Sequence, residues 1–530
     1  PYASMMALPF CAREVMENLQ QLRNHGGYGQ FGLHEAIDFG RTAKPAPRRA
    51  RTVRSYMSHH QGMILLAINN FLHRDVMLQR FHQDVRIASL TPLLHERLPA
   101  APPALKPWKR PGVMRSFHAE VVLDTWSAAP SRPYPQYNLL SNGHYSLIVA
   151  ADGATGSYWD AIALTRWQPD PTCHQWGRYC YVRDLDSDTL FSVGLSPCGG
   201  DASRCTSNFS PQGVELQRRE SELFCRLHIA ISSQHDVEVR RLVIKNESGR
   251  QRRLLLSDFA EVVLAPERDD LRHPAFAKLF VESQYLPEEQ VMIYRRRPRG
   301  SNEKPIYLAV SVLVQPGVRH RLGWETDRTR FLGRGGTPVR PRAMAAGLAG
   351  FSGTTGPVLD PVIATAQEVT IPPQSEIEVV YLTGVSKSRQ ELLATLRTYR
   401  SRPKARWIFD LARMQSEQEL HSLQITAGAM HWMMDLLSAV LAPTGALRAP
   451  SRVLANSRQI QPGLWSRGIS GDNPILLVHI CSDHEIDFAQ SLLQAHTYWC
   501  GRGIAVDLVI IDEESAGYEQ QTRDRLQEMI

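Results

Sequence analysis

Between about Asn138 and Val385 the chain is a succession of short apolar segments cut by Gly, Pro, Asn and Asp, a rhythm that few folds accommodate. A strand turns successive side chains to opposite faces, so period-two patterning predicts strands where a 3.6-residue period would predict helices. In GHYSLIVAADGATGSYW, residues 143 to 159, Tyr145, Leu147 and Val149 alternate with small or polar residues. Asp152-Gly153 and Thr155-Gly156 then mark the turn of a hairpin. In DVEVRRLVIKNESG, Val237, Val239 and Arg241 share one face, Leu242 to Ile244 form a short apolar run, and Asn246 to Gly249 close it. Further strands are predicted at Leu254–Leu256, Val262–Leu264, Ile306–Val314 and Ile377–Leu382. So many short strands between tight turns predict a large antiparallel β-sandwich.

Both flanks read as helical, which makes the whole a multidomain α+β chain. In CAREVMENLQQLR, Val15, Leu19 and Leu22 are spaced four and three apart, and His25-Gly26-Gly27 ends the helix. YMSHHQGMILLAINNFLHRDVMLQRF predicts a second helix with Ile64, Ile68 and Phe71 on one face. Leu98 to Pro111 is a proline-rich linker that cannot continue it. Gly27, Gly29 and Gly32 match G-x-G-x-x-G, but a helix precedes them where a dinucleotide fold demands a strand, so that reading is rejected. Beyond the sandwich, Ser388 to Glu391 is a capping box opening LLATLRTYR, and an apolar helix runs through Met433, Leu437 and Leu441 to Pro443. ILLVHI, FAQSLLQAHTYW and GIAVDLVIID then read as a βαβ unit without a phosphate-cradling Gly motif.

Composition excludes several classes. With 43% hydrophobic and 21% charged residues, the 530-residue chain is globular and long enough for roughly three or four domains. The net charge of +7 comes from dispersed arginine clusters without a reader motif, so no nucleic-acid partner is expected. No run of about 18 apolar residues spans a membrane, and the N-terminus lacks the charged region of a signal peptide. Eight scattered cysteines fit a reducing compartment, and Cys173, His174, Cys180, Cys198 and Cys205 lack zinc-binding spacing, so no metal is expected.

Two stretches carry candidate chemistry. FGLHEAIDF sets Glu35 and Asp38 among aromatic and apolar residues, surroundings that raise a carboxylic acid's pKa and stack on sugar rings. A carboxylate facing a helix start would have the same sequence. His59 and His60 are adjacent on a helix, where side chains diverge and cannot share one metal. They are candidate substrate contacts or a hydrogen-bonded core pair. In GLWSRGISGDNPILL, Trp465 offers a ring, Arg467 a donor and Asp472 an acceptor for paired hydroxyls, on a Gly-rich loop that is otherwise a plain turn before a strand.

FGLHEAIDF, RSYMSHHQGM, FHQD and LLHERLP, in that order, resemble the glucoamylase-like (α/α)-barrel domain of bacterial cyclic β-1,2-glucan synthases. Phe31-Gly32-Leu33-His34 departs from that family's Tyr-Gly-Phe-Tyr and loses two aromatic rings. The resemblance implies retaining transglycosylation with Glu35 as nucleophile. Its second carboxylate, about 5 Å across the scissile bond, is expected upstream of this sequence. NLLSNGHYSLIVAADGATGSYW, ALTRWQPDPT, DFAEVVLAP, HPAFAKLF and WETDRTRFLGRG resemble the β-domain of cellobiose and β-1,2-oligoglucan phosphorylases, the module at the C-terminus of those synthases. There, loop residues His273, Lys278 and Arg330 are candidate phosphate or sugar contacts or parts of the sandwich's own structure, and Asp472 is the candidate for the glucose subsite. The inverting phosphorolysis needs no carboxylate base, and its general acid is expected downstream.

A twelve-helix barrel needs roughly 190 residues. The expected organisation is therefore two partial (α/α) segments flanking the sandwich: 1–100, end of a glucoamylase-like barrel; 101–137, linker; 138–385, sandwich; 386–445, linker helices; 446–530, start of a phosphorylase-like barrel. The implied parent lies on the cytoplasmic side of the bacterial inner membrane and uses UDP-glucose in a domain absent here. The segment itself carries no cofactor, takes inorganic phosphate only as a substrate, and by itself turns over little or nothing. Its implied partners are β-1,2-glucan and the rest of the parent, with homodimerisation left open. A free-standing β-1,2-oligoglucan phosphorylase and a non-catalytic glucan-binding module are the alternatives.

Overall fold

A computed structural model describes residues 2–38, 51–84, 87, 125–300, 303–442, 445–458, 461–465, 467–481 and 485–512. The chain divides into two compact units, Pro1–Phe117 and His118–Ile530.

In the second unit two large antiparallel sheets face each other. One, of nine strands, runs from Thr189–Ser192 through Tyr179–Asp184, Arg252–Pro266, Ile162–Thr165, Thr155–Trp159 and Tyr145–Ala150 to Tyr137–Ser141. Pro361–Ile371 also pairs with Arg252–Pro266 and carries His320–Asp327 on its other edge. The second sheet, of ten strands, centres on Val237–Asn246 between Leu223–Ile231 and Glu376–Ser386. Leu227, Leu242, Leu254, Leu256 and Val379 fill the space between the sheets.

The predicted hairpin forms, with Tyr145–Ala150 against Thr155–Trp159. Its alternation is not half-exposed, however, because all six residues of Tyr145–Ala150 are buried. The neighbouring strand's outer side is covered: Tyr137 N donates to Ser438 Oγ at 2.9 Å on helix Ala427–Leu441. Ser146 Oγ donates to Arg502 O at 2.7 Å, just beyond helix Ile486–Gly501. Helices Arg389–Tyr399 and Arg402–Ser422 cover the far face of the ten-stranded sheet, burying Leu392, Leu396 and Ile408 on Val237, Val239 and Leu382.

The segments predicted as separate strands at 254–256 and 262–264 are one strand, Arg252–Pro266. Its pairing passes from Tyr179–Asp184 to Ile162–Thr165, and within the latter a bulge lies between Val262 and Ala265, with Leu264 at φ 52°. The break in the apolar pattern comes from Ser257, Asp258 and Glu261, polar residues buried within the strand. Of the capping box, the half from Ser388 forms: its Oγ accepts from Glu391 N, while Glu391 Oε2 accepts from Ser386 Oγ instead of a backbone amide. Strands Ile475–Ile480 and Asp507–Asp512 pair in parallel around helix Ile486–Gly501, the predicted βαβ arrangement.

In the first unit, helix Ala12–Asn24 is as predicted, and Val15 joins Met5, Leu8 and Ile64 in a small core. The second predicted helix is two, Ser58–Leu72 and Val76–His82, because Arg74 and Asp75 take positive φ of 53° and 62°. Phe71, expected on the buried face, is 47% exposed. The stretch around FGLHEAIDF is strand and turn, with Tyr28–Gly29 pairing Gly32–Leu33 and Ala36–Asp38 pairing Arg51–Val53. The 98–111 linker and LLHERLP lie outside the described residues. Among the described residues no helix is long and apolar enough to cross a membrane.

Candidate functional site

Beyond its bulge, the long strand runs into two short helices, Glu267–Arg272 and Pro274–Lys278. Together with the end of Ile162–Thr165 they line a cleft of about 330 Å³ containing Trp167, Trp176, Glu261, Glu267, Lys278 and Arg328. Charge is arranged in pairs. Arg166 reaches Asp270 at 2.7 and 2.9 Å and also pairs with Glu261, which takes Arg328 on its other oxygen. Lys278 pairs with Asp360. Burial raises the pKa of the Glu267 carboxyl; a hydrogen bond with Tyr158 lowers it and the nearby Asp270 raises it again.

Trp167 is 3% exposed and its Nε1 has no hydrogen-bond partner among the described residues. The floor beneath it is tight: a Cβ on Gly156 would lie 2.7 Å from the Trp167 Cβ. Aromatic surface beside paired charges and a buried carboxyl suits a polyhydroxylated ligand, since rings take sugar faces and charged groups take paired hydroxyls. Of the three loop candidates, Lys278 lines this cleft. His273 is exposed outside the cleft lining, and Arg330 is exposed and donates to Ser352 Oγ at 3.1 Å. Trp176, Glu267 and Arg328 were not singled out in the sequence, because strand periodicity gives no sign of which loops converge.

In the first unit the structure brings Glu35 and His60 together. Glu35 precedes strand Ala36–Asp38, held by its backbone N–H to Ser55 O at 3.0 Å, and His60 lies in the first turn of helix Ser58–Leu72. Glu35 Oε1 is 2.7 Å from His60 Nδ1, without hydrogen-bond alignment, and the two side chains are only 14% and 16% exposed. Tyr2 stacks on His60 at 3.8 Å and 8°. His59 is exposed, yet its ring centre is 4.0 Å from that of His60, so the expectation that the two rings diverge does not hold. Gly29 passes beneath Tyr56 and His34, where a Cβ would lie 2.5 Å from the His34 ring. The backbone of Asp38 belongs to the strand; its side chain lies outside the described residues.

Trp465, Arg467 and Asp472 share one exposed loop of the second unit. Trp465 Nε1 donates to Ser470 O at 3.2 Å, Asp472 N to Ser470 Oγ at 3.1 Å, and Gln461 Nε2 to Asp472 Oδ1 at 3.3 Å. Arg467 Nη1 reaches Gly463 O at 3.5 Å. Gly468 and Gly471, both at φ 73°, allow the loop to turn back on itself. Trp465 leaves 59% of its surface open. Among the described residues no cluster of His, Cys, Asp and Glu could hold a metal ion.

Residues 120–402 match the supersandwich domain of glycosyl hydrolase 94, and residues 1–85 match the Glycoamylase family of glucoamylase-type domains. The cyclic beta-(1,2)-glucan synthase NdvB of Rhizobium meliloti (strain 1021) is 29% identical over 531 residues, covering all of this chain and 19% of that protein. The chain thus spans about a fifth of the length of the relative it matches. Among solved structures, a bacterial glucoamylase complexed with acarbose aligns over 60% of this chain and 41% of its own at 13% identity and a TM-score of 0.34. A family GH92 inverting mannosidase from Bacteroides thetaiotaomicron aligns over 56% and 36% at 10% identity and a TM-score of 0.30.

Proposed function

This chain belongs to the glycosyl hydrolase 94 family through its supersandwich domain, and from that premise we propose that it is a carbohydrate-active segment of an enzyme that makes cyclic β-1,2-glucan. The observation that carries the reading lies in the family domain itself: a 330 Å³ cleft in which Trp167, Trp176, Glu267 and Lys278 meet at the end of the long bulged strand. In this reading the cleft and the Trp465 to Asp472 loop hold glucan for phosphorylase-like adjustment of chain length, with inorganic phosphate as co-substrate. Glu35 is the nucleophile of a retaining transglycosylation, and Asp38 and His59 border its sugar.

The exposed apolar side chains of the first unit support an incomplete helical domain there. Phe10, Met16, Leu65 and Leu72 are each more than 60% exposed, which a finished domain would bury. We place the two flanks in partial (α/α) barrels of a larger, membrane-associated enzyme that uses UDP-glucose elsewhere in its length. The isolated chain then binds glucan but turns it over poorly. The test is calorimetric titration with linear β-1,2-glucan and, separately, with β-1,4-linked cellohexaose. Binding of the first and not the second is expected, weakened about tenfold or more by Trp176→Ala. A chain that binds neither, or releases glucose 1-phosphate or cyclic glucan efficiently by itself, contradicts the proposal.

A further inference from the structure

Glu35 is held unevenly. Its Oε1 lies 2.7 Å from His60 Nδ1 without hydrogen-bond alignment, so that Nδ1 and the buried Oε2 both lack a hydrogen-bond partner among the described residues. An unsatisfied buried carboxylate oxygen costs free energy, so a site that keeps one has a use for it. The facing histidine is itself fixed: helix Ser58–Leu72 sets its backbone, and the Tyr2 ring lies parallel to the imidazole at 3.8 Å. With two χ angles and a ring on one face, His60 is a stiff support for a flexible glutamate.

We propose that His60 is the positioning residue of Glu35 and not a sugar contact: it engages Oε1 and leaves Oε2 as the atom that bonds to the anomeric carbon. This rests on the reading of Glu35 as nucleophile. In the step concerned, a lone pair of Oε2 forms the bond to C1 as the bond from C1 to the leaving oxygen breaks and its pair departs with that oxygen. Glu35 gives up its charge to become an ester. His60 gains and loses no bond. It stands against Oε1, and the 2.7 Å contact, which lacks hydrogen-bond alignment here, tightens into a hydrogen bond in the complex with substrate. Tyr2 acts one step further out by fixing the imidazole plane.

The probe is 2,4-dinitrophenyl 2-deoxy-2-fluoro-β-glucoside, whose dinitrophenolate leaves without a proton from any acid, so the reaction does not need the second carboxylate. Mass spectrometry of the peptide carrying Glu35 and release of dinitrophenolate are followed across probe concentration, with circular dichroism of each variant as the fold control. The wild type is expected to be labelled at Glu35. His60→Ala should lower the labelling rate constant about tenfold or more with an unchanged half-saturation concentration, because a displaced nucleophile loses rate without losing binding. His60→Asn, whose amide overlies the imidazole Nδ1, should recover much of the loss, and Tyr2→Ala should give part of it. A folded His60→Ala that labels at the wild-type rate, or one that changes only the half-saturation concentration, overturns the proposal while the nucleophile reading stands. Absence of labelling at Glu35 in the wild type removes the nucleophile reading, and this proposal with it.

Discussion

Arg178 and Glu238 are fully buried between the sheets, and each is tolerated because the other and its neighbours are present. Arg178 takes Asp258 through Nε and Nη2, while Tyr145 and Ser157 hydroxyls donate to Glu238 at 2.8 and 3.0 Å. Burial pushes Glu238 up, but Arg240 and Arg178 bring it down to about 2. Removing one member strands a charge, so Arg178→Met should destabilise the second unit by about 3 to 5 kcal/mol, read from urea unfolding. At the cleft, Gly156→Ala forces a methyl group into Trp167. We expect a cost of about 1 to 3 kcal/mol and weaker glucan binding by calorimetry; unaltered binding would mean that Trp167 does not shape the site. Asp472→Ala should abolish binding at the exposed loop, whereas a module binding through the sandwich alone would keep it. None of these partners was legible in sequence. Arg178, Glu238 and Asp258 stand 60 and 80 positions apart, and only pairing across two sheets joins them.

At the scale of elements, helix Arg402–Ser422 is fastened to the ten-stranded sheet through Glu378, which receives Arg241, Arg402 and Arg406 at 2.6, 2.7 and 2.5 Å. Burial raises that carboxyl, yet the three guanidinium hydrogen bonds outweigh it and bring it to about 2. A carboxylate with its folded value below the unfolded value of about 4.3 stabilises fully above the latter, and that stability is lost as pH falls through the former. The denaturation midpoint should therefore drop between about pH 5 and pH 2, and Glu378→Gln should flatten the drop. An equally steep drop in that variant would assign the effect elsewhere. Arg502 does comparable service after helix Ile486–Gly501, reaching Glu419 at 2.6 Å and Leu139 O at 3.2 Å. The βαβ unit was readable because each of its elements declares its own period; its seat on the sandwich was not, since it depends on Tyr498 and Trp499 packing into the sandwich core and on Arg502 and Ser146 bonding across the contact.

For the whole molecule, two compact units and the small core of the first lead to a further expectation. Residues 118–530 expressed alone should unfold cooperatively with the denaturant midpoint that the same residues show in the full chain, whereas residues 1–117 alone should bind a dye for exposed apolar surface. A lowered midpoint for 118–530 would show that its stability depends on the first unit. By itself the sequence determined the sandwich, several of its strands and the βαβ segment, and it singled out Glu35 and Asp472 as candidates, because periodicity, turn residues and short motifs are local properties of a chain. Only tertiary structure decided that Tyr145–Ala150 is buried on both faces, that one bulged strand replaces two, and that Trp176, Glu267 and Lys278 share a cleft. Those outcomes depend on which distant segments cover a face or converge at a strand's end, and distance along the chain carries no record of it.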